Sequence, residues 1–96
     1  MAKKTTPAAL GIPTSFQLAG CTWNVKIVQD LPDMGLCDPA KYEIYIREGM
    51  NSQATLATFF HELVHAIMFA MGKTVHDEEF TDIFGSFLHQ YDKTKS

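Results

Sequence analysis

The chain has 96 residues, 46% of them hydrophobic and 20% charged, with a formal net charge of −3. It is one domain (residues 1–96), too apolar for a disordered chain and too acidic for a dedicated nucleic-acid binder, which carries a basic face. It contains no 18-residue apolar run, so no membrane partner is expected, and so small a core gains from a staple, a metal or a partner.

The start, Met1-Ala2-Lys3-Lys4, has the charge of a secretion signal. However, Thr5, Thr6 and Pro7 stand where an apolar stretch should begin, and Gly11 and Pro13 interrupt the short apolar run from Ala8 to Ile12. Residues 1–11 therefore read as a frayed tail and the protein as cytoplasmic. Cys21 and Cys37 are fewer cysteines than a small secreted scaffold uses and read as free thiols. Phe16-Gln17-Leu18 alternates and Ala19-Gly20 offers a tight turn. From Cys21 to Val28, Trp23, Val25 and Ile27 share one face, the period of a half-buried strand. Leu31-Pro32-Asp33-Met34-Gly35 and Cys37-Asp38-Pro39 read as turn and break. Tyr42 to Arg47 alternates again, with Tyr42, Ile44 and Ile46 together.

Gly49 to Ser52 ends that strand, and Ser52 is the expected N-cap of a helix. No breaker occurs from Gln53 to Met71, and the segment is apolar nearly all round, as a buried helix is. Gly72 suits the position just past its end. A second helix is expected from about Thr74, with Asp77 in capping-box-like geometry. Its apolar face (Phe80, Ile83, Phe84, Phe87, Leu88, Tyr91) is expected to pack inward, and Lys93 to Ser96 to fray. The expected fold class is α+β: a small antiparallel sheet of two to three strands packed on two helices.

The chemistry sits in His61-Glu62-Leu63-Val64-His65, an H-E-x-x-H pattern inside the first helix. The two histidines are four apart, so both rings leave one face and can share a Zn²⁺. Glu62 is rotated by about 100°, where it can take a proton from a water that the metal activates. Buried without a metal, three such polar side chains would each need another partner. Zinc needs a third protein ligand. A histidine two turns on is absent, since Met68 and Met71 occupy the glycine and histidine positions of the longer H-E-x-x-H-x-x-G-x-x-H pattern. The remaining candidates are His76, Glu78, Glu79 and the cysteines. Glu78 and Asp82 are four apart on one face of the second helix, and Glu79 lies one step round it.

With these pieces the chain resembles the small phage- and prophage-encoded zinc metallopeptidases, minimal gluzincin-like proteins related in pattern to the ImmA/IrrE and SprT-like groups. The resemblance runs from about Ile12 to Gln90. It rests on Phe16-x-Leu18-x-Gly20, Val25-x-Ile27, Gly35-x-x-Asp38, the strand from Tyr42 to Ile46, His61 to Ile67, and Asp77-Glu78-Glu79-Phe80-Thr81-Asp82. It implies a minimal zincin-like fold and a zinc-dependent hydrolysis of peptide bonds. His61, His65 and Glu78 are the implied ligands and Glu62 the implied base. Asp82 is implied to orient a ligand histidine through its free ring nitrogen, with Glu79 as the alternative third ligand. It further implies a peptide or protein substrate and the host cytoplasm as location; Tyr42 to Arg47 is either an edge strand that pairs with the substrate or a core strand. No DNA-binding helix-turn-helix accompanies the motif, so a repressor-cleaving role is not implied.

Two other readings compete. Cys37 could be the third ligand of a deformylase-type zinc hydrolase, although Val64-His65 replaces the Asp-His of that family. Alternatively the metal could staple a non-catalytic interaction module, for which Glu62 would be unnecessary. Oligomeric state is left open.

Overall fold

The computed structural model describes residues 6–95. The basic start of the expected tail therefore lies outside the described residues. From Pro7 onward the chain is not a tail. Ala8–Leu10 forms a 3₁₀ turn closed by Gly11 at φ 78°, and Ile12 is in the core.

Four strands come next: β1 (Ser15–Leu18), β2 (Cys21–Val28), β3 (Gly35–Asp38) and β4 (Glu43–Arg47). They form one mixed sheet in the order β1-β2-β4-β3. Ala19 and Gly20 both take positive φ (50° and 81°), the conformation that matches a tight hairpin turn to strand twist. β1 and β2 are antiparallel, β2 and β4 parallel, and β3 and β4 antiparallel. This corrects the expectation of two or three antiparallel strands. The added strand is β3, in the stretch read as a break. It reverses the chain once, so β4 returns parallel to β2 and slots between β2 and β3. The most buried strand, β4, takes an interior place beside β2, and Ile44 and Ile46 are fully buried. The segment from Tyr42 to Arg47 is thus not an edge: β1 and β3 are the edges, and Tyr42, at φ 56°, stands just outside the strand. Trp23 and Val25 bury the facing side of β2, and Phe16 stacks on Trp23 with ring centroids 6.3 Å apart.

Helix α1 (Ser52–Ala70) lies across β3 and β4. Its N-cap is Asn51, one residue before the expected Ser52, and the Asn51 Oδ1 accepts from the Ala54 N–H at 2.8 Å. At the other end Gly72 turns left-handed (φ 86°). The Lys73 N–H then donates to Met68 O and the Gly72 N–H to Phe69 O, which satisfies the last carbonyls.

Helix α2 (Glu78–Lys93) starts four residues later than expected, with Asp77 itself as cap, accepting from the N–H groups of Glu79 and Phe80. It stays helical through Lys93, where fraying was expected. The larger correction is its orientation. Thr81 and Gly85 face α1 and are buried, while Phe80, Ile83, Phe84, Phe87 and Tyr91 remain 41–64% exposed. A pattern with one apolar stripe says which side of a helix is apolar, not that its own chain covers that side. No helix among the described residues is long and apolar enough to cross a membrane.

Candidate metal centre

The helical repeat carries His61 and His65 to one side of α1, facing the first turns of α2. There α2 approaches closely because residue 85 has no side chain. A Cβ on Gly85 would lie 3.1 Å from His61 Cα and 3.3 Å from Phe60 O. With the helices this near, Glu78 and Asp82 reach across. Glu78 Oε1 is 3.5 Å from His61 Nε2, and Glu78 Oε2 is 3.3 Å from His65 Nε2. Asp82 Oδ1 is 2.8 Å from His61 Nδ1. Among the described residues, His61, His65 and Glu78 offer ligand atoms that all lie within 4.8 Å of one another, a group that could hold a metal ion.

Hydrogen-bond partners assign the ring protons. The Lys73 carbonyl can only accept, and His76 Nε2 stands 2.7 Å from it, so His76 carries its proton on Nε2. His76 Nδ1 is then an acceptor for the His65 Nδ1–H at 2.6 Å. That leaves a lone pair on His65 Nε2. Burial, its main cause, holds the His65 pKa below the ordinary imidazole value; Glu78 opposes this and His61 and His76 add to it. The Asp82 carboxylate likewise accepts from the His61 Nδ1–H and leaves the His61 Nε2 lone pair free. With both rings in these neutral tautomers, two imidazole lone pairs and a carboxylate converge. Three acceptors in that arrangement repel one another, and a cation among them turns each contact favourable. The donor set fits a metal.

Glu62 points to the other side of the histidine row and is 7% exposed. Burial pushes its carboxyl up to about 7; His61 opposes the shift, and the charges of Glu78 and Asp33 add to it. The edge strand comes close here because β3 begins with glycine. A Cβ on Gly35 would lie 2.5 Å from Thr58 Cγ2 and 3.1 Å from Glu62 Oε2. A cavity of about 950 Å³ lies between β3, α1 and α2, with Gly35, Glu62, His65 and Glu78 in its walls.

The other candidates are placed elsewhere. Glu79 lines a smaller recess with Phe80 and Phe87 and is not part of the ligand group. Cys37 borders the large cavity, but burial, with the Glu62 and Asp38 charges, pushes its thiol up to about 12. It is not part of the ligand group. His76, read from sequence as one more ligand candidate, instead holds the ring of His65. No spacing rule reveals this, because the left-handed turn at Gly72 is what brings the connecting segment back over α1.

His76→Phe keeps a ring in place and removes the hydrogen bond. Affinity for a divalent metal ion is expected to fall by about 10–100-fold, measured by competition with a chromophoric chelator. An unchanged affinity would show that His76 does not orient His65.

Compared with known proteins, the chain matches no protein-family model, and neither the curated proteins nor the solved structures contain a significant match.

Proposed function

We propose that the protein is a zinc-dependent metallopeptidase. The observation that carries this reading is the convergence of His61 Nε2, His65 Nε2 and the Glu78 carboxylate beside a buried Glu62. Two imidazoles and one carboxylate suit zinc and leave a fourth position open. Zinc held there would act as a Lewis acid and make water acidic enough to lose a proton near neutral pH. Glu62 is the base for that proton: its raised pKa lets it accept and release near neutrality, and it then delivers the proton to the leaving amine. Asp82 and His76 keep the two ligand rings turned with Nε2 inward.

The proposed substrate is a peptide or protein segment in extended form. Its backbone would add to the free edge of β3, which runs along the cavity past Glu62. The absence of a side chain at Gly35 lets that edge stand close to the base. Membership of the small phage- and prophage-encoded peptidases, and action in the host cytoplasm, belong to the same proposal and rest on the motif pieces alone.

Elemental analysis of the purified wild type, Glu78→Ala and Glu79→Ala tests the ligand set. One zinc per chain is expected in the wild type and in Glu79→Ala, and loss of zinc in Glu78→Ala. Loss in Glu79→Ala alone would overturn the assignment.

A further inference from the structure

We infer that two copies of this chain pair through the outer face of α2, with the two helices antiparallel. Phe80, Phe84, Phe87 and Tyr91 follow a 4-3-4 spacing, the seam of a coiled coil. All four are 41–64% exposed, and Phe80 and Phe84 stack on each other with centroids 5.5 Å apart. A row this apolar, outside the protein's own core, marks an interface.

Three features select a second copy as the occupant. The seam is self-complementary. A two-fold axis between residues 85 and 86 sets Phe84 against Phe87 of the other copy and Phe80 against Tyr91, so every aromatic meets an aromatic. The area suffices. At their exposures these four rings and Ile83 offer roughly 500 Å² per protomer, and two copies reach the ~1,000 Å² at which specific interfaces begin, before the flanking polar atoms are counted. The charges favour the antiparallel sense. Beside the seam, the start of α2 holds Asp77 and Glu79, and the far end holds Lys95, whose ammonium lies over the Tyr91 ring. An antiparallel pair puts each acidic end beside a basic end and opposes the helix dipoles, whereas a parallel pair sets acid against acid. The seam is on the far side of α2 from Glu78 and Asp82, so pairing leaves the metal group and its cavity open. Such pairing does not depend on the peptidase reading.

Sedimentation equilibrium of the wild type is expected to show a dimer at tens of micromolar. Phe84→Lys and Phe87→Glu should each be monomeric, with unchanged far-UV circular dichroism, since neither side chain supports the core. Mixing the two variants should restore a dimer. The ammonium introduced at position 84 of one copy then meets the carboxylate introduced at position 87 of the other, and the remaining Phe87–Phe84 contact is kept. A wild type that stays monomeric up to millimolar concentration, or a dimer that survives both substitutions, overturns the inference. A wild-type dimer whose two variants do not pair in the mixture overturns the antiparallel register.

Discussion

Glu62→Gln is expected to keep zinc and fold and to lose peptide hydrolysis by about 10²–10⁴-fold. The substitution is nearly isosteric, so the 7% exposed pocket against Gly35 and Thr58 is refilled without a void. None of the ligand atoms is touched, because Glu62 leaves α1 on a different side from the two histidines and is not in the ligand group. An amide cannot accept and return a proton near neutrality, which is the one property that burial confers on the Glu62 carboxyl. Elemental analysis and circular dichroism should therefore match the wild type while turnover of a fluorogenic peptide collapses. Equal activity in wild type and variant would remove Glu62 from the chemistry, and the metal would then be a structural staple.

Chelation is expected to lower the melting temperature by on the order of 15–30 °C. A ligand present at about a thousand times its Kd stabilises the folded state by about 4 kcal/mol, and each kcal/mol shifts the midpoint of a domain this small by about 4–8 °C. The cause is geometric. His61 and His65 belong to α1 and Glu78 to α2, so the ion would join the two helices. Without it, those helices lose the ion that would join them, and the buried face of α2 is narrow, at Thr81 and Gly85. Differential scanning calorimetry with and without chelator, at confirmed metal loss, measures the shift. An unchanged midpoint would mean that packing alone holds α2.

What can be read from the sequence depends on whether the deciding interaction is local. The i, i+4 spacing of His61 and His65, the alternation in Cys21 to Val28 and the glycine after Met71 are local, and α1, β2 and the left-handed turn stand where they point. Strand β3 is not local. Gly35-Leu36-Cys37-Asp38 lies between Pro32 and Pro39 and has no strand propensity of note. It is a strand because β4 offers it a partner edge. The interior place of β4 comes from that same pairing and cannot be read from its own residues. Asn51 and Ser52 are both good caps, and a one-residue choice between them lies below what propensity distinguishes. The outer face of α2 misleads for a different reason: amphipathicity shows which side of a helix is apolar and is silent on whether its own chain covers that side. His76 is visible as a histidine and invisible as the partner of His65, since that role depends on the path of the connection between α1 and α2.

The close approach at Gly85 has a consequence for the kind of ion the proposed site would take. The side chains of Glu78 and Asp82 are 69% and 72% exposed, so little packing tells their carboxylates where to stand. Their position is inherited from the main chain of α2, which rests against the main chain of α1 at His61. The interhelical gap therefore serves as a ruler for the coordination sphere, graduated in backbone contacts and not in rotamers. One added methyl at residue 85 would stand 3.1 Å from His61 Cα, and the shift needed to fit it would move Glu78 and Asp82 relative to the histidines with all the donor atoms still present. Selectivity between a small ion and a larger one can thus drift through a position that never meets the ion.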